Sequence, residues 1–152
     1  MRHAKSDYPA GVDDHDRPLN RRGRLASALM GAWVAEAGAP DLAYVSSAAR
    51  AAETWARMRL DAPMETRKAL YHADAETMLE VARQAPDTAA TLLVLWHQPG
   101  IGDAANLLLG ARLVPAFPTA QIVVIDVEVA TWREIVFGEG ALIDIAAPKD
   151  LV

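Results

Sequence analysis

The chain has 152 residues, of which 52% are hydrophobic and 23% charged, and its 20 acidic and 15 basic side chains give a net charge of −5. This is the composition of one globular domain, 1–152, and the lack of a basic stripe argues against nucleic acid as a general partner. No cysteine is present, which excludes disulfides, zinc–thiolate sites and thiol catalysis; no apolar run approaches the ~20 residues of a membrane span or forms a signal-peptide core, so a cytoplasmic protein without membrane contact is expected.

The chain opens Met1-Arg2-His3-Ala4-Lys5-Ser6, and residues 4–18 read as a loop, broken by Pro9, Gly11, Pro18 and a run of aspartates. Within it, Asp13-Asp14-His15-Asp16 has the side chains of a metal site. Four adjacent residues do not all face one ion, however, and no further ligand spacing follows, so a solvated acidic loop and no metal are expected. Asn20 is a good N-cap for a first helix, with Leu25, Leu29 and Trp33 at i, i+4, i+8 and Ala28 and Ala32 on the same stripe, ended by Gly38 and Pro40.

Leu42 to Ser46 reads as a short strand, followed by a helix from near Ala48 with Ala51, Trp55 and Met58 on one face. Arg50 falls in the first turn of that helix, where a cation meets the positive end of the helix dipole. Two readings fit: an anion bound there, shared with free backbone N–H groups, or a surface arginine reaching solvent. Past Pro63, Thr66 to His72 reads as a strand, then a helix with Ala75, Met78, Leu79 and Ala82 inward runs to Pro86.

Thr91 to Trp96 is a continuous apolar run suited to a central parallel strand covered on both faces. His97 ends it, at the carboxyl edge where open α/β sheets bind ligands; a His bonded to a loop carbonyl is the alternative. A helix with Ile101, Ala104, Ala105 and Leu108 inward follows. Gln121 to Asp126, Ala130 to Phe137 and Ala141 to Ile145 read as strands, the last two as a hairpin. The alternation of strands and helices predicts a three-layer α/β/α sandwich with a mostly parallel sheet.

Arg2-His3-Ala4-Lys5-Ser6, Asp16-Arg17-Pro18-Leu19 with Gly23, Ser46-x-x-x-Arg50-Ala51-x-Glu53-Thr54, Leu70-Tyr71-His72-Ala73 and His97-x-Pro99-Gly100 together resemble the histidine phosphatase superfamily, whose fold is phosphoglycerate-mutase-like. The short length and the second and fourth motifs are most similar to its SixA-type phosphohistidine phosphatase branch. The resemblance covers about residues 1–110 and implies a phosphatase without a cofactor. Its substrate would be a phosphorylated protein or a small phosphorylated molecule. His3 would be the nucleophile and become a phosphohistidine, with Arg2, Arg50 and His97 holding the phosphoryl oxygens. Phosphoryl transfer asks mainly for positioning and charge stabilisation, which such a set supplies.

The sequence departs from the family pattern in several places. No mid-chain glutamate matches the family's general acid, leaving Asp74, His72, Glu76 and Asp16 as candidates; phosphoramidates such as phosphohistidine need such an acid least. Ser47 stands where Pro is usual. Trp96 stands where a small residue is usual, either narrowing the pocket or packing under the sheet. The family carries a hydrophobic central strand directly before its Arg-His pair, and Met1 takes the last place of that strand. Either the start lies upstream or the strand is truncated, which predicts a rearranged or swapped N-terminus or weak activity. A catalytically weak phosphate-binding or protein-interaction module of the same fold is the alternative function.

Overall fold

The computed structural model describes residues 1–152. Its helices are α1 (Arg21–Ala37), α2 (Ala49–Met58), α3 (Ala75–Arg83) and α4 (Gly100–Leu109), and its strands β1 (Leu42–Ser46), β2 (Met64–Arg67), β3 (Leu92–Leu95), β4 (Ile122–Val127) and β5 (Gly140–Ala146). β1 lies between β2 and β3, parallel to both, with Ala43 opposite Met64 and Leu93. β4 and β5 form an antiparallel pair with a bulge at Val124/Ile125. The shared burial of alternate residues makes the layers. Leu42, Tyr44 and Trp96 face a core built with α3 and α4, while Ala43, Val45 and Leu95 face one built with α1 and α2.

Residues 1–3 join the two sheets. Trp96 N–H donates to Met1 O (3.2 Å), His3 N–H to Trp96 O (3.2 Å) and Arg2 N–H to Gln121 O (3.0 Å), while Ala120 N–H donates to His3 O (3.0 Å). The expected rearranged or swapped N-terminus is therefore not what forms: Met1–His3 lies in sheet register beside β3, with Arg2 and Trp96 a parallel bridge. Trp96 is buried in the α3/α4 core, packing under the sheet rather than narrowing a pocket.

Three other expectations change. The buried face of α1 carries Gly23, Ser27, Met30, Gly31 and Val34, whereas Leu25 is exposed. A Cβ at Gly31 would lie 2.2 Å from Met58 O, so α1 approaches α2 through glycine rather than through the leucine stripe. Thr66–His72 is strand only to Arg67, then a turn of 3₁₀ helix over Lys68–Leu70. Ala130–Phe137 contains a 3₁₀ turn, Trp132–Glu134, fixed where Trp132 Nε1–H donates to Ala89 O (2.7 Å), and β5 pairs with β4 instead. No helix is long and apolar enough to cross a membrane.

Candidate active site

Strand ends and a helix start meet at one edge. His3 leaves the short N-terminal strand, His97 follows β3 through Trp96, and Arg50 stands in the first turn of α2 after β1. Thr54 locks two of these pieces together: its hydroxyl donates to Arg50 O (2.7 Å) and accepts from Ala4 N–H (3.0 Å). Glu53, one residue before, accepts from Leu19 N–H (2.8 Å) and pairs with Arg24, tying α2 to the start of α1. The motif residues Glu53 and Thr54 thus position rather than face the site.

His3 and His97 are both buried, with ring centroids 5.1 Å apart. His3 Nδ1 lies 2.7 Å from Ala4 O. A carbonyl only accepts, so Nδ1 carries the proton and the lone pair is left on Nε2. Burial first, then the charges of Arg50 and Arg2, lowers the His3 pKa to about 4, keeping the ring neutral at pH 7. His97 Nε2 sits 2.7 Å from Ser46 Oγ, and that oxygen also accepts from Ala48 N–H (3.3 Å). The Ser46 proton is then free to go to Nε2, which places the His97 proton on Nδ1. Burial, His3 and Arg50 push the His97 pKa down to about 3.

The decisive feature is a deficit. Arg2 Nε, Arg50 Nε, His97 Nδ1 and Trp96 Nε1 are buried without a hydrogen-bond partner, the first three on residues of this edge and the last in the α3/α4 core. Buried donors are almost always satisfied, so a group of them around one histidine is a site built for an acceptor that carries charge. No group of three or more His, Asp or Glu side chains is arranged to hold a metal. Arg2 is held from behind, with NH1 donating to Phe117 O at 2.8 Å.

Asp14 reaches into this edge. Arg50 NH1 donates to Asp14 O (2.8 Å) and NH2 to Asp14 Oδ2 (3.3 Å), while Tyr71 O–H donates to the same carboxylate oxygen (2.6 Å). The Tyr71 bond, with Arg50 and Arg17, holds the Asp14 carboxyl at about 2. Tyr71 stands edge-on to His97 and His15, and its ring centroid is 3.9 Å from that of His72. His15 Nε2 is 3.0 Å from Ser47 Oγ, which folds the acidic cluster over the site.

The four acid candidates separate. Asp74 caps α3, accepting from Thr77 N–H (2.8 Å), and that bond lowers its pKa. Asp16 pairs with His15 in the open. Glu76 lines, with Asp74, Gln98, Asp103, Arg112 and Phe117, a cavity of about 910 Å³ beside the site. His72 stacks beside Tyr71, close enough for its charge to depress His97. Ser46 and Tyr71, which lie within the sequence motifs without an assigned role, and Asp14, from the acidic loop, make side-chain contacts at the site. Ser46 ends a strand one step before the turn into the arginine helix, and Tyr71 directly precedes a candidate histidine, so position pointed to both.

The model of the histidine phosphatase superfamily (branch 1) matches residues 1–104. An uncharacterized protein of Mycobacterium tuberculosis, MT1313, is 36% identical over 159 residues, covering 98% of this chain and 100% of its own length. A solved structure from Nakamurella multipartitia, assigned as the phosphohistidine phosphatase SixA, superposes with a TM-score of 0.89 at 26% identity, covering 97% of this chain and 93% of that one. A protein from Agrobacterium tumefaciens with the same assignment gives 0.82 at 27% identity, covering 97% and 95%.

Proposed function

The chain belongs to the histidine phosphatase superfamily, and from that premise we propose that it moves a phosphoryl group from substrate to His3 Nε2 and then to water. In the first step the P–Nε2 bond forms as the bond from phosphorus to the leaving nitrogen or oxygen breaks, and the leaving group takes up a proton. In the second, water attacks phosphorus in line, the P–Nε2 bond breaks and inorganic phosphate leaves. Arg2, Arg50 and His97 supply donors to the phosphoryl oxygens. The observation that carries this reading is the set of unpartnered buried donors around a histidine whose lone pair is on Nε2.

The preferred substrate in this reading is phosphohistidine on a protein, in the cytoplasm. Asp74 is committed to a helix cap, and no carboxyl is buried against the two histidines. A phosphoramidate nitrogen is protonated from solvent more readily than the bridging oxygen of an alkyl phosphate ester, which would otherwise have to leave as an alkoxide, so it suits a site with a weak acid; His72, beside Tyr71, is the proposed assistant. The cavity beyond Phe117 would take the flanking part of a polypeptide.

The test is intact-mass measurement after brief mixing with phosphoramidate. The wild type gains one phosphoryl group transiently, and His3→Ala gains none. Arg50→Ala retains the adduct chemistry but loses about 10²–10³-fold in rate, the usual effect of removing one preorganised donor. An adduct of equal yield on His3→Ala would overturn the assignment of the nucleophile.

A further inference from the structure

The groove of about 910 Å³ beside the candidate active site is walled by the start of α3, the first turns of α4 and the loop 110–117. Only 6 of its 16 lining residues are hydrophobic, so it suits a polar occupant. Groove and site share a border. Gln98 directly follows His97, and the Phe117 carbonyl at the groove's edge accepts from Arg2 NH1 at 2.8 Å. A chain anchored at the phosphoryl pocket can therefore run on into the groove. Its outer wall is fixed in advance. Asn106 clamps the loop through both polar atoms, Nδ2–H donating to Val114 O and Oδ1 accepting from Val114 N–H, each at 2.9 Å. Gln121 Nε2–H holds Ala116 O at 3.0 Å. Little of the wall is left to be ordered on binding.

The groove and the site carry opposite charge. Asp74, Glu76 and Asp103 line the groove with one cation, Arg112, and all four side chains are exposed. The ion pairs of the chain use Asp14, Asp16, Glu53 and Glu80, so none of the three groove carboxylates is neutralised by a partner. Next door, Arg2 and Arg50 lie around His97, which is 7% exposed and has Nδ1 unpartnered. That buried donor marks where an anionic end is held, and the carboxylates stand where the rest of the same ligand would lie. The complementary ligand is an anionic group on a chain that carries cations close by. A polyanion would be repelled from the groove, and a small phosphate alone would leave it empty.

We propose that the groove reads basic side chains flanking the phosphorylated residue, so that the substrate class is a polypeptide whose phosphohistidine lies among lysines and arginines. Asp103 and Glu76 are the specificity-determining residues, and Arg112 opposes them. This rests on the phosphatase reading above and adds to it the charge of the substrate's flanks.

The experiment measures kcat/KM on synthetic phosphohistidine peptides flanked by lysines or by glutamates, with phosphoramidate as a substrate that has no flanks. The proteins are the wild type, Asp103→Lys, Arg112→Glu and Glu36→Lys, the last making the same change of net charge as Asp103→Lys but on α1, in the opposite helical layer. The wild type prefers the lysine-flanked peptide by about 5-fold or more at low salt, and high salt shrinks the preference. Asp103→Lys lowers the ratio about 3-fold or more, Arg112→Glu raises it, and Glu36→Lys leaves it unchanged. Phosphoramidate turnover is the same in all four, which also shows that each is folded. Equal rates on the two peptides, or a ratio moved as far by Glu36→Lys as by Asp103→Lys, would overturn the inference while phosphoramidate turnover kept the phosphatase reading standing. A wild type that consumes neither phosphoramidate nor peptide would overturn both.

Discussion

In the proposed mechanism, one buried imidazole, His3, serves as nucleophile and another, His97, as donor at the same pH. Each spends one nitrogen on a fixed neighbour, Ala4 O or Ser46 Oγ, and leaves the other for chemistry. Because the His3 pKa is lowered to about 4, protonation removes the nucleophile only near that pH. The acid limb of kcat/KM should therefore fall near pH 4; a limb at 6.5 would show an ordinary, solvated imidazole. Asp14 acts on the other side of the balance by holding Arg50. Asp14→Asn should tighten inhibition by tungstate about 2–5-fold, the range for a half-exposed ion pair, measured as a change in Ki. A weakened Ki would mean that Asp14 orients Arg50 instead of competing for it. Arg2, His3, Arg50 and His97 could be picked out of the sequence because each sits beside a strand end or in a local motif. Asp14 could not, since its contact with Arg50 spans 36 residues and depends on how an irregular loop folds back.

At the scale of elements, legibility followed the chemistry of the packing face. α2, α3 and α4 bury Trp55, Met58, Met78, Leu79 and Ile101, so their hydrophobic spacing pointed inward correctly. α1 buries Gly23, Ser27 and Gly31 between Met30 and Val34, so the spacing of its large apolar residues alone does not mark its inner face. The same closeness makes a test. Gly31→Ala puts a methyl 2.2 Å from Met58 O and should cost about 1–3 kcal/mol, read as a lowered urea midpoint with unchanged m-value. An unchanged midpoint would mean that the α1–α2 contact gives way freely. The segment 130–137 has the β-branched and aromatic content of a strand, Trp132, Ile135, Val136 and Phe137, but it is a turn that buries Ile135 and packs a half-buried Trp132 against the α3/α4 core.

Across the whole molecule, three groups are held neutral by burial: the Met1 amine at about 5 instead of 8.0, His3 at about 4 and His97 at about 3, both instead of 6.5. Below the ordinary values the unfolded chain binds protons that the folded chain refuses, so stability is greatest above pH 8 and declines as pH falls through this window. The thermal midpoint should drop between pH 8 and 5, before most carboxylates titrate, and a flat midpoint over that range would contradict the burial of these groups. The backbone ladder joining the two sheets runs through Met1–His3, so the proposed nucleophile sits on the seam of the molecule. Catalysis then works as a strain gauge for that joint. A partial parting of the sheets displaces His3 while both halves keep their helices and strands, and on heating, turnover should fail at a lower temperature than the circular-dichroism signal.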